Sequence, residues 1–112
     1  MSANRVLVIS HDLVDTRMAG PGIRYLELAR VLSQHFAVTL AVPGEKGLAG
    51  DTFEAWPYRR DSWPSIAAAA NQVDVIVACG DSLADFPQLA QLEVPLVVDG
   101  YDPHTLETLA LW

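Results

Sequence analysis

The feature that most constrains this chain is a continuous apolar run, Val6-Leu7-Val8-Ile9. It is followed by a polar loop, by Gly20-Pro21-Gly22 and by an amphipathic stretch that closes near His35. Four consecutive aliphatic residues leave neither face of a strand polar, so the segment 5–10 suits a central parallel strand covered on both sides. From Pro21 onward Tyr25, Leu28, Ala29 and Leu32 make one helical stripe, while Glu27, Arg30 and Gln34 mark a wet face. A buried strand leading through a glycine-bearing turn to a helix N-terminus is a common way for α/β folds to offer backbone N–H groups to a phosphate. The first forty residues therefore point to a nucleotide or sugar-phosphate ligand.

The same alternation continues along the chain. A second strand is expected at 36–42, where Val38, Thr39 and Val42 are β-branched, before a loop carrying Pro43, Gly44, Gly47 and Gly50. A weaker third strand at 52–58 contains Pro57, which restricts it to a sheet edge or a bend. Trp63-Pro64 opens a short helix that runs through Ala70. A buried strand at 73–79 is stopped by Gly80-Asp81, and a helix at 82–92 takes Ser82 as its N-cap and is bent by Pro87. A strand at 95–99 and a helix at 103–112 complete the pattern. Strands alternating with helices predict an α/β fold, a Rossmann-like parallel sheet of about five strands with helices on both faces. At 112 residues, 1–112 is one domain.

Composition narrows the function. Apolar residues make up 51% of the chain and the mean hydropathy is +0.21, as expected for strands buried on both faces. The net charge is -7, and every Lys and Arg lies at or before Arg60. An acidic surface of this kind repels a polyphosphate backbone and an anionic bilayer, so nucleic acid is not an expected partner. The single cysteine, Cys79, cannot pair within the chain, and no Cys/His cluster has zinc spacing, so no metal is expected. No stretch approaches the roughly 18 apolar residues of a membrane span, and the first apolar run is too short for a signal-peptide core. A cytoplasmic setting follows as the expectation. The segment 103–112 carries Leu106, Leu109, Ala110, Leu111 and Trp112 without a glycine cap or a basic last turn. It is expected to self-associate or fold back, and the chain reads as part of a longer one.

Two groups of residues are candidates for chemistry. Gly20 and Gly22 let a ligand approach the backbone, Pro21 pre-sets φ for the first helical turn, and Arg24 adds a charge there. The spacing matches neither the dinucleotide fingerprint nor a P-loop. Gly-Pro-Gly also serves as a plain loop-to-helix junction, with Arg24 pairing to Glu27. The second group collects where strands end: His11 and Asp12 after the first, Asp81 and Ser82 after the fourth, and Asp99, Tyr101, Asp102 and His104 after the last. Asp102-Pro103 equally reads as an N-cap and first residue of a helix.

These residues resemble a known family. Arg5 to Ser10, then Ala19-Gly20-Pro21-Gly22-Ile23-Arg24-Tyr25-Leu26-Glu27-Leu28-Ala29-Arg30, then Val38 to Pro43, resemble the start of retaining GT-B glycosyltransferases of the family 4 (group 1) type. Pro95-Leu96-Val97-Val98-Asp99-Gly100-Tyr101-Asp102-Pro103, with Leu106-Glu107, is similar to a signature of bacterial cell-surface sugar transferases of that group. The resemblance spans nearly all 112 residues. It implies the acceptor-side, N-terminal half of a two-domain enzyme that moves a sugar from a nucleotide-sugar donor to a glycan or lipid-linked acceptor with retention.

By the same resemblance, Gly20, Gly22 and Arg24 would meet the donor diphosphate, and Asp12, Tyr101 and Asp102 would lie on the acceptor side. His11 and Asp81 are the catalytic candidates. Many family members place a histidine after the fourth strand, where this chain has Gly80-Asp81. No metal or other cofactor is implied beyond the nucleotide-sugar co-substrate. The donor-gripping half lies outside this chain, so the 112 residues by themselves are expected to be inactive, and the whole enzyme to be cytoplasmic or peripheral to the membrane. The competing reading is a non-enzymatic flavodoxin-like or receiver-like module that binds a nucleotide or oligomerises. Asp12 and Asp15 suit a receiver, but the only lysine, Lys46, lies in a loop rather than after the last strand.

Overall fold

The computed structural model describes residues 4–11, 20–44 and 52–99, and for 20–23 and 99 the backbone alone. The elements are β1 (Arg5–Ile9), α1 (Gly20–Leu32), β2 (Ala37–Pro43), β3 (Glu54–Tyr58), α2 (Pro64–Ala70), β4 (Val75–Cys79), α3 (Gly80–Asp85), a 3-10 helix (Pro87–Gln91) and β5 (Leu96–Asp99). The five strands form one parallel sheet in the order β3-β2-β1-β4-β5. This is the Rossmann order, and it differs from the 2-1-3-4-5 order of flavodoxin-like folds. The expected Rossmann-like parallel sheet of five strands is present.

The central run behaves as its composition demands. Val6 and Val8 point to one face, where they meet Tyr25, Leu26 and Ala29 of α1 together with Val38, Leu40 and Val42. Leu7 and Ile9 point to the other, among Ile66, Ala69 and Ala70 of α2, Ile76 and Ala78 of β4, and Phe86 and Leu89. Leu7, Val8 and Ile9 are fully buried. Each such side chain contributes about 1.5–3 kcal/mol of transfer free energy. Polar substitution on either face of β1 therefore strikes a core, which is why this strand carries no alternation.

β3 occupies the edge, as Pro57 requires, with Pro57 paired in register with Val42. It is fastened to α2 by the Trp56 indole N–H, which donates to the Ser65 carbonyl at 2.9 Å. The Ser33 and Thr52 hydroxyls, 2.6 Å apart, tie the end of α1 to the approach to β3.

The expectation for residues 80–92 needs two corrections. The strand does end before Gly80-Asp81, and Cys79, which is extended (φ -92°, ψ 171°), passes directly into α3. Ser82 is accordingly not the N-cap. It lies inside the helix, 1% exposed, with its hydroxyl 3.6 Å from the Cys79 thiol. The expected helix over 82–92 also breaks in two, because Phe86 precedes Pro87 and is driven from helical geometry to φ -129°, ψ 74°. The expected helix at 103–112, and most of the loops at 12–19 and 45–51, lie outside the described residues. No helix among the described residues is long and apolar enough to cross a membrane.

Candidate functional site

The sheet order fixes where a ligand can enter. From β1 the chain proceeds to β2 on one side of the sheet, whereas β4 lies on the other side, so the helices that follow the two strands cover opposite faces. The carboxyl ends of β1 and β4 then flank the switch point of the sheet, where open parallel sheets usually form a ligand crevice. Ser10 and His11 stand on one side of it and α3 on the other.

His11 is held there from three directions. Its Nε2 lies 3.0 Å from Oδ2 of Asp85, both side chains being partly exposed (24% and 31%). The Arg60 guanidinium donates to the His11 carbonyl oxygen. One residue earlier the Ser10 carbonyl accepts from the Tyr58 hydroxyl at 2.6 Å, and the Ser10 N–H donates to the Ala41 carbonyl at 2.9 Å. Backbone carbonyls at the mouth of β1 are thus bonded to side chains of the β3 region, and the imidazole stands beside a carboxylate at the switch point.

The anchor beneath this arrangement is aromatic. Phe86 packs edge-on against Tyr58, with centroids 5.8 Å apart, and tilted against Trp63 at 5.9 Å. Phe86 is 2% exposed and follows Asp85 directly, so its burial fixes where the carboxylate points. Burial also raises the Tyr58 phenol well above its usual ionisation range, an effect the Arg60 charge opposes. The phenol stays protonated and keeps donating through the neutral range.

Of the sequence candidates, His11 is in the crevice. Asp81 is exposed in the first turn of α3, four residues before Asp85 and so on the same side of the helix. It is Asp85, however, that meets His11. Gly20 and Gly22 lie in the first turn of α1, which begins one residue earlier than expected and carries no acidic residue in that turn. Thirteen residues of helix return the chain to the amino end of β2, so Gly20 starts at the carboxyl rim of the sheet. Arg24 is exposed on the flank of α1 near Leu28 and Val77. Glu27, the partner Arg24 would have in the plain-junction reading, bonds Arg30 at 3.0 Å. Asp12, Tyr101 and Asp102 lie outside the described residues.

No family model, curated protein or solved structure matches this chain. What the crevice can do rests on its own chemistry. A histidine oriented by a carboxylate can exchange a proton with a hydroxyl, and an acid-free helix start can receive an anion. Sequence reasoning missed Tyr58, Arg60 and Asp85. For Asp85 a signal existed: the Phe86-Pro87 pair ends a helix, and the residue before such an end projects from its last turn. For Tyr58 and Arg60 there was none, because their partners are main-chain atoms far away in sequence.

Proposed function

We propose that this chain is the N-terminal, acceptor-side half of a retaining GT-B glycosyltransferase of the family 4 type, which moves a sugar from a nucleotide-sugar donor to a glycan or lipid-linked acceptor of the bacterial cell surface. The observation that carries the reading is the His11–Asp85 pair in the crevice at the switch point of a 3-2-1-4-5 parallel sheet. The sequence resemblance, from Gly20-Pro21-Gly22 to Asp99-Gly100-Tyr101-Asp102-Pro103, supplies the reaction class.

In this reading the backbone N–H groups at Gly20 and Gly22 receive the departing diphosphate at the open end of α1, and Arg24 adds positive charge one turn on. His11, with its ring held by Asp85, orients an acceptor hydroxyl and takes up its proton as the new glycosidic bond forms. Asp81, and Asp12, Tyr101 and Asp102 by the same resemblance, hold other acceptor hydroxyls. The nucleotide and sugar are gripped by a second half outside these 112 residues, in a cytoplasmic or membrane-peripheral enzyme.

The test is a titration of the isotopically labelled chain with nucleoside diphosphates and nucleotide sugars, read as amide shifts and paired with a transfer assay. Weak, saturable shifts at residues 11, 20–24 and 80–82 without turnover are expected. A shift map elsewhere, or none, overturns the site. Tight donor binding or turnover by this chain overturns the division of roles between two halves.

A further inference from the structure

α2 is shorter than the strands it covers, and the difference leaves a pocket at the amino end of the sheet. Its seven residues rise about 10 Å, whereas the seven of β2 extend about 23 Å. Cover on this side therefore thins toward the start of β2: Ala41 is fully buried, Thr39 half-buried and Ala37 exposed. Register carries the same face across three strands, since Arg5 pairs with Ala37 and Thr39 pairs with Glu54. Arg5, Thr39 and Glu54 line a pocket of about 440 Å³, within the range of about 300–1,000 Å³ usual for small-molecule sites. Trp56, two residues beyond Glu54, forms one wall, and Ala69, Gln72 and Val73, at and beyond the end of α2, form another.

We propose that this pocket binds a small amphoteric ligand, a free α-amino acid with an apolar side chain. Its two charged groups are opposite in sign and uncommitted: neither the Arg5 guanidinium nor the Glu54 carboxylate has a bonding partner among the described residues. Arg5 also borders the groove on the α1 side, and alternation with Leu7 directs its side chain to the α2 side. The neighbouring Asp74 accepts the Arg5 main-chain N–H at 2.8 Å and does not line the pocket. The Cα atoms of Arg5 and Glu54 lie two strand spacings and two residues apart, about 12 Å, so their charges flank the pocket without pairing. A ligand of single charge is attracted by one of them and repelled by the other. An α-amino acid carries its carboxylate and ammonium on one carbon and satisfies both with charge-assisted hydrogen bonds. The Trp56 indole N–H already donates to the Ser65 carbonyl at 2.9 Å, so the ring offers apolar surface, as do Ala69 and Val73. That surface receives the ligand's side chain. The pocket lies at the opposite end of β1 from His11, and the inference is independent of the glycosyltransferase reading.

The experiment titrates the full isotopically labelled chain with L-phenylalanine and L-leucine at millimolar concentrations, and separately with glucose and inorganic phosphate. Saturable shifts are expected for the amino acids at the Trp56 indole and at the amides of Thr39, Glu54 and Gln72, with residues 11 and 80–82 unmoved. Phenylalaninamide, which lacks the carboxylate, and N-acetylphenylalanine, which lacks the ammonium, should each bind the wild-type chain roughly fivefold more weakly, the upper end for a solvent-exposed ion pair. Arg5→Gln should weaken phenylalanine by the same factor and leave phenylalaninamide unchanged. Glu54→Gln should weaken phenylalanine and leave N-acetylphenylalanine unchanged. Both side chains are exposed, and retained amide protection at Leu7 reports an intact sheet in either variant. Absence of saturable shifts with the amino acids overturns the proposal. Shifts at these residues with glucose or phosphate but not with phenylalanine would assign the pocket to a polyol or an anion and overturn it too. Equal affinity of phenylalanine and its two analogues for the wild-type chain would remove both charged contacts, and the proposal with them.

Discussion

Replacing Tyr58 by Phe removes one oxygen from the core and leaves the ring in place. The phenol is 1% exposed and donates at 2.6 Å to the Ser10 carbonyl, while its ring is held edge-on by Phe86. A neutral buried hydrogen bond contributes about 1 kcal/mol net, so the variant should be less stable by that amount at neutral pH. The pH dependence makes the test specific. Because burial raises the folded-state pKa above that of the unfolded chain, the stabilisation is fully present below the unfolded phenol's value of about 10 and declines as pH rises through it. The wild-type chain then loses about 1.4 kcal/mol per pH unit, a term that the phenylalanine variant lacks. The two stability curves should therefore cross between about pH 10.5 and 11. Urea unfolding followed by circular dichroism at a series of pH values measures this, and the titration of all other groups cancels in the difference. A stability difference that stays constant from pH 8 to 11 would refute the argument, since Tyr58 would then titrate alike in both states.

Other substitutions give contrasting outcomes. Phe86→Ala empties a site 2% exposed between Tyr58 and Trp63 and should cost about 3–5 kcal/mol in urea unfolding, a large share of the stability of a domain this size. Gly80 and Gly44 should respond oppositely to alanine. A Cβ at Gly80 meets nothing within 4 Å in a helical turn, so thermal melting should show about 0.4–1 kcal/mol of added stability. Gly44 sits at φ 124°, where a side chain is strained, and should lose more than about 1 kcal/mol in the same assay. Glu27→Ala removes an ion pair whose side chains are 61% and 44% exposed, and the denaturation midpoint should move by no more than the equivalent of about 0.5 kcal/mol.

The sheet was legible because its determinants are local. Val6 to Ile9 permitted only a strand with two buried faces, and Pro57 sent β3 to the edge whatever its neighbours did. The region 80–92 was misread where local rules compete. Ser82 is a good cap in isolation, but the strand runs into the helix without a loop, and the buried Cys79 thiol is the partner its hydroxyl finds. His11 was legible as a residue after a buried strand. Its partner was not, because Asp81 and Asp85 differ only in their distance from Phe86, and the position of Phe86 depends on packing against Tyr58 and Trp63 from two other elements.

That packing sorts the crevice by charge. On the α3 side stand two carboxylates, Asp81 and Asp85, with His11 drawn toward the second. On the α1 side the helix opens without any acid in its first turn, leaving the positive end of its dipole uncompensated by its own side chains. The two carboxylates oppose an anion on the first side, although the Arg60 charge lies nearby at the His11 carbonyl, and an anion brought to the second side meets N–H groups. Hydroxyl groups, which donate as well as accept, suit the carboxylate side. The carbonyls of Ser10 and His11 already accept from Tyr58 and Arg60. A ligand carrying phosphate at one end and hydroxyls at the other would therefore be turned one way only, while Tyr58 and Arg60 hold the end of β1 in place.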